Sequence, residues 1–462
     1  MPLRAKILDP AVGNGASQSA SYATSPPVIK ELPGDEPNDV LFSSLYGLRS
    51  IQLNRPKKLN SLNGSMIRKI LPRMQEWDKS HLANVVVIKG EGRAFCAGGD
   101  VAALAEQNNT AEGQQASTDY FALEYQLDHY IATYSKPYVA FIDGITMGGG
   151  VGLSVHAPFR IATENTVFAM PETTIGLFPD VGAGFFLPRM DGALGLYLAL
   201  TSEQLKGVNV FYSGIATHYL HSSSLPDLEA RFSELKFRDN DSFQHRLQIV
   251  NATIEEFNTG LPHDQPISAP VSGPIREAVD FVFQQTHSYA EIMTALDDVS
   301  VTEHASEEVH EWAKKNKEKR YCNAHQHLSW SRYSNCEEGE SGVSSLLIRK
   351  PRTTPQWKPD SAAQVPKDDV DSFFPSKSVL QLLKTGDSAD YTSYPHAWIG
   401  LPTEREVGAF VQSSGGSTNA KVIKHFVDKS NAKVGVQEKV AEILTRKTRP
   451  RDDGAGITWV DE

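Results

Sequence analysis

The chain has 462 residues, 40% of them hydrophobic and 22% charged, which is enough apolar material for a sizeable core and excludes wholesale disorder. Lys plus Arg number 45 against 56 Asp plus Glu, and a net charge of −11 excludes a polycation built to coat nucleic acid. Three cysteines, Cys96, Cys322 and Cys336, cannot form a disulfide framework, and no apolar run approaches the roughly 18–20 residues of a membrane span, so an intracellular protein with no membrane partner is expected.

In chain order, residues 1–39 are rich in Ser, Ala, Gly and Pro, with only Arg4, Lys6 and Lys30 as basic residues and one acid, Asp9, before Glu31, which fits either a disordered terminus or a targeting segment. Leu48–Leu53 alternates as a strand does and runs into the polar turn Asn54-Arg55-Pro56. Met66, Ile70, Met74 and Trp77 then recur at helical spacing behind a candidate cap, Asn63, with Pro72 inside the run. Val85–Ile88 is wholly apolar, as a strand covered on both faces should be. Tyr120–Tyr134 reads as a helix, and Tyr138–Ile142 and Val167–Met170 read as further strands. Strand, glycine turn and helix therefore alternate, which predicts an α/β body of repeated strand–helix units. Beyond residue 215 the patterns turn helical, at Asp227–Phe237, Phe243–Phe257, Ile275–Gln285 and Ser306–Lys319. Residues 318–341 lack periodicity, residues 349–399 include a Pro-rich stretch that reads as a strap, and Lys421–Ser430 and Val436–Arg446 are helix candidates in the tail. Between Lys421 and Arg451 there are nine Lys and Arg against three acids, a basic appendage on an acidic body.

Three segments have the residue types that chemistry needs. Gly144–Gly152 holds five glycines directly after a predicted strand, and the apolar residues that follow, Leu153, Val155 and Phe159, suggest that a helix starts there with free N–H groups. It lacks the Gly-Lys-Ser/Thr ending of a phosphate loop and the acid that follows a dinucleotide fingerprint. Phe95–Asp100 is a second glycine turn after a strand, and two such turns can aim backbone amides at one oxyanion. In Pro171–Asp180 two carboxylates, Glu172 and Asp180, bracket an apolar loop, a setting suited to a base or nucleophile and an orienting partner. Cys322, His325, His327 and Cys336 are metal-binding types at a spacing that matches no standard finger, so no metal site is expected.

These residues, together with Leu53–Asn63, Lys136-Pro137-Tyr138-Val139 and Gly214–His218, resemble the crotonase (enoyl-CoA hydratase/isomerase) superfamily, and more closely its 3-hydroxyisobutyryl-CoA hydrolase branch. The resemblance is dense from about residue 40 to 225 and implies a crotonase-like spiral of repeated ββα units with a helical C-terminal region. It divides the chain into a core at 40–225, a helical lid region at 226–348, the strap, and a basic helical extension at 400–462.

By the same resemblance Gly99 and Gly149 supply the oxyanion-hole amides. Glu172 acts as nucleophile or general base, Asp180 orients water or the substrate hydroxyl, and Glu124 contacts substrate. Hydratases of the superfamily carry a second glutamate where this chain has Gly152, which argues for thioester hydrolysis over hydration. The implied substrate is an acyl-CoA of valine breakdown, with coenzyme A as part of the substrate and no separate cofactor. The implied location is the mitochondrial matrix. The extension resembles fungal members similar to a component of the mitochondrial ribosomal small subunit, so it is either a solvated tail or a docking arm. A homo-oligomer is compatible with the pattern. Residues 318–341 depart from the branch, which has longer helices there.

Overall fold

The computed structural model describes residues 29–262, 266–301, 305–318, 391–451 and 456–460, with positions 343 and 347 in isolation. Residues 319–341 of the atypical segment, with its Cys and His residues, most of the strap and most of the N-terminal segment lie outside the described residues.

Ten strands build the core: β1 (Val40–Leu45), β2 (Leu48–Leu53), β3 (Val85–Gly90), β4 (Ala94–Cys96), β5 (Tyr138–Phe141), β6 (Ile145–Met147), β7 (Phe159–Ala162), β8 (Val167–Ala169), β9 (Leu205–Lys206) and β10 (His218–Tyr219). They form two sheets, ordered β1-β2-β3-β5-β7-β10 and β4-β6-β8-β9. The chain alternates between them, β3 to β4, β5 to β6, β7 to β8, each pair followed by helix, so one turn of the spiral is a ββα unit. Within each sheet these strands run parallel, whereas β1 and β9 join antiparallel at the edges.

Side-chain alternation decides what each face packs against. Val86 and Ile88 of β3 face the interior shared with the second sheet, while Val85 and Val87 face the opposite side. There Leu228 and Phe232 of helix Leu225–Ser233, and Leu247, Val250 and Ile254 of helix Phe243–Glu255, cover the sheet. The apolar run at 85–88 is thus buried on both faces, as its composition predicts. These first two helices of the 226–348 region back the sheet.

The helix predicted behind Asn63 spans Gly64–Lys79, and the Asn63 side chain accepts from the Met66 amide at 2.9 Å, a cap that contributes about 1 kcal/mol. The helix read at Tyr120–Tyr134 is longer, Ala111–Ala132. The glycine helix is shorter than its apolar continuation suggests: it ends at Val155, and Phe159 opens β7. Phe159 is buried because it lies in a central strand.

The C-terminal extension packs on the core. Helices Glu404–Ser413, Asn419–Lys429 and Val436–Lys447 contribute Val407, Val411, Val422, Phe426, Val440, Ile443 and Leu444 to the main hydrophobic cluster. Its cations turn inward as well. Lys439 pairs with Asp191 at 2.8 Å, Arg446 reaches Asp280 at 3.1 Å and also Glu404, and Lys433 meets Glu255 at 2.5 Å. The solvated-tail reading is therefore corrected, and part of the positive charge counted there is consumed inside the molecule.

Candidate active site

The site forms where the glycine turns after β4 and β6 meet. Ala97 donates to the Leu59 carbonyl, Leu62 to Gly98, and Asp100 to Leu62, which ties the Phe95–Asp100 turn to the Leu53–Asn63 segment. These bonds use the Gly98 carbonyl and the Asp100 amide on either side of Gly99. Gly148 has φ +46, a conformation that a side chain disfavours, and it starts the helix Gly149–Val155. Gly149 is its first residue, so its amide has no intrahelical acceptor. Among the described residues neither the Gly99 nor the Gly149 N–H has a backbone acceptor.

The approach of the two turns is close. A Cβ placed on Gly149 would stand 3.4 Å from the Gly99 nitrogen and would collide with a Glu124 carboxyl oxygen. One placed on Gly148 would stand 2.9 Å from Glu172 Oε1. Gly99, Gly149, Glu124 and Glu172 are thus brought together as expected from the sequence.

Glu172 opens the short helix Glu172–Ile175, is 5% exposed, and its Oε2 has no hydrogen-bond partner. Burial, and then the negative charge of Asp180, push its carboxyl well above the ordinary carboxylate range. Asp180 is half-buried and accepts from the Tyr125 hydroxyl at 2.8 Å. Burial lifts it to about 6, tempered by that hydrogen bond. Glu124 is buried too, and it rises well above its ordinary value through burial and the charges of Asp180 and Asp128. No ion pair with Lys, Arg or His joins any of these carboxyls among the described residues. The arrangement offers unpaired amides for an oxyanion beside a buried carboxyl that holds its proton more tightly than an ordinary carboxylate.

The Asp180 turn is held from behind. Val181 adopts φ +44, a strained conformation for a β-branched residue, and its carbonyl lies 2.8 Å from His156 Nε2. Burial drops His156 to about 4, so a neutral imidazole donates to that carbonyl. Tyr394, at the end of the strap region, reaches the other ring nitrogen at 3.4 Å. Cys96, under the first glycine turn, is buried and pushed up to about 12 by burial, which makes it inert as a thiolate.

Sequence reasoning missed Tyr125, Asp128 and His156. Asp128 lies one helical turn beyond Glu124, and that i, i+4 spacing was the available signal.

The Enoyl-CoA hydratase/isomerase family model matches residues 48–321. The chain is 48% identical to the small ribosomal subunit protein mS47 of Neurospora crassa, over 100% of this chain and 94% of that protein. It is 39% identical to the mitochondrial 3-hydroxyisobutyryl-CoA hydrolase of Danio rerio, over 73% of this chain and 90% of that protein. A carnitinyl-CoA dehydratase structure from Mycobacterium thermoresistibile superposes with a TM-score of 0.60 at 27% identity, over 76% of this chain and 100% of that one. With two interleaved sheets, glycine turns meeting at their ends and this extent of similarity, the chain belongs to the enoyl-CoA hydratase/isomerase family.

Proposed function

We propose that the chain is a mitochondrial acyl-CoA thioesterase that cleaves 3-hydroxyisobutyryl-CoA to 3-hydroxyisobutyrate and coenzyme A. The observation that carries this reading is the pair of acceptor-free amides at Gly99 and Gly149 beside the buried Glu172. The thioester oxygen accepts from both amides, and loss of one such donor typically costs roughly 3–4 kcal/mol of barrier. Glu172 either takes the proton of an attacking water or attacks the carbonyl carbon itself to give an anhydride that water then cleaves. In both courses the C–S bond breaks, the sulfur leaves as thiolate and collects a proton, and the acyl group leaves as the acid. Asp180, anchored by Tyr125, orients the water or the substrate hydroxyl, and Glu124, beside Gly149, contacts the substrate. The reaction draws on no metal or redox cofactor, since coenzyme A enters with the substrate. The family glutamate absent at Gly152 and the hydrolase names of relatives near 40% identity support hydrolysis over hydration.

Purified protein incubated with 3-hydroxyisobutyryl-CoA is expected to release free thiol, faster than from the analogue lacking the hydroxyl. No thiol release from either compound contradicts the reading.

A second reading is favoured by the similarity to mS47 of Neurospora crassa, which covers 100% of this chain, against 73% for the Danio rerio hydrolase. On it, the chain is a component of the mitochondrial ribosomal small subunit, with the site retained. Cosedimentation of the tagged chain with mitochondrial small subunits at moderate salt supports it, and sedimentation apart from them contradicts it.

A further inference from the structure

Asp128 is 5% exposed, and both of its carboxyl oxygens lack a hydrogen-bond partner. It projects from helix Ala111–Ala132 toward the first turn of the glycine helix: a Cβ placed on Gly152 would stand 2.7 Å from each carboxyl oxygen. The absence of a side chain at Gly152 is therefore what gives this carboxyl its room. Glu124 lies one turn back on the same helix, and Asp180 faces both.

Four neighbouring carboxyl groups, three buried and one half-buried, with no cation paired to any of them among the described residues, cannot all be anionic at little cost. No grouping of metal-binding side chains with ligating geometry is found among the described residues. Protons must supply the neutralisation, and the hydrogen bonds indicate where they sit. Asp180 has the Tyr125 hydroxyl as donor, and Glu172 leaves one oxygen, Oε2, without a partner, whereas Asp128 leaves both. Asp128 has none. An ionised carboxylate without a donor is the costliest of the four, and a neutral acid the least costly there.

We propose that Asp128 is a positioning acid of this site, a carboxyl group that stays protonated so that its neighbours Asp180 and Glu172 carry the negative charge the chemistry uses. The other groups acting on it are consistent with this role. Cys96, Tyr125 and Tyr138 face it as neutral side chains, Asp180 and Glu124 face it as acids, and the first turn of the glycine helix offers no titratable side chain. Burial and then Asp180 hold its carboxyl well above the ordinary range.

The test compares wild type with Asp128→Asn, which keeps the shape and cannot ionise. A folded-state pKa raised above the unfolded value means that the wild type loses stability as pH rises from the ordinary carboxylate range through the raised one. The asparagine variant lacks that loss, so its stability relative to wild type should climb with pH, by roughly tenfold in the folding equilibrium per pH unit across the window. Contributions of Glu124, Glu172 and Asp180 are present in both proteins. Parallel pH–stability curves overturn the proposal. Asp128→Ser repeats the measurement if the amide does not fold, and failure of both neutral variants to fold at neutral pH also overturns it, because a residue already neutral tolerates neutral replacement.

A second arm rests on the proposed thioesterase activity: wild-type kcat/KM should fall at alkaline pH, and Asp128→Asn should abolish that limb. If neither protein cleaves the thioester, the functional reading fails separately and the unfolding curves still decide.

Discussion

Two regions of this molecule bury acids, and they do so in opposite ways. Where the C-terminal helices dock, each carboxylate meets a cation: Arg276 pairs with Asp280 at 3.0 Å and Glu404 at 2.9 Å, and Lys439 with Asp191 at 2.8 Å. Burial alone would raise Asp191, yet Lys439 and Arg276 hold it below the ordinary carboxylate range. Glu255 is likewise pulled down to about 2 against the effect of burial, by His218 and Lys433. Around Glu172 no acid meets a cation among the described residues, Asp180 has a hydroxyl donor, and every shift is upward. An acid locked in its anionic form is a fastener, whereas one whose proton is negotiable near neutrality can do chemistry. The contrast identifies the site independently of any motif.

The largest test of this contrast is to strip a cation from the docking seam. Arg446→Ala leaves Glu404 and Asp280 short of a buried partner, and removal of one member of such a network costs about 3–5 kcal/mol. Denaturant unfolding should show that loss, and a change below about 1 kcal/mol would mean that the seam is not held by charge. Next comes Gly149→Ala. Its methyl would be driven into the Glu124 carboxyl and would part the two amides, so thiol release should drop roughly 100-fold or more while the fold survives. Unchanged kcat would remove Gly149 from the oxyanion role.

The smallest effect expected is that of Tyr125→Phe. Its hydroxyl lowers the Asp180 pKa, so its loss moves that pKa further up from about 6. The acidic limb of the pH–rate profile should shift to higher pH by roughly one unit or less. A shift to lower pH contradicts the assigned hydrogen bond.

Much of the core was legible in the sequence because periodicity and burial agree there. Val85–Ile88 is apolar because both faces are covered, and Asn63 could be read as a cap because Met66, Ile70, Met74 and Trp77 follow it on one face. Glu172 could be read from the two carboxylates that bracket its apolar loop, Gly99, Gly149 and Glu124 came from the family resemblance, and the structure brings the four together. Asp128 was not legible because it puts a charge-bearing residue on the inward face of a helix, where pattern reading assigns polar residues to solvent. The reading of that helix began only at Tyr120 because residues 111–119 are small or polar and mostly exposed, and so carry no apolar period. Helices Glu404–Ser413 and Tyr289–Val301 went unread, although the first carries a capping box, Thr403 with Glu406, that could have revealed it. The docking of the extension was invisible because its pairs, such as Arg276 with Glu404, join residues 128 positions apart.

The central claim is that Glu172, in its dry pocket beside the Gly99 and Gly149 amides, drives the cleavage of the thioester. Steady-state thiol release from 3-hydroxyisobutyryl-CoA by wild type and Glu172→Gln tests it most directly, with thermal unfolding of both proteins alongside. The account predicts that kcat falls by roughly a thousandfold or more at unchanged or slightly raised stability, because the amide keeps the shape and loses the proton chemistry. A folded Glu172→Gln protein that cleaves the thioester at the wild-type rate would contradict it.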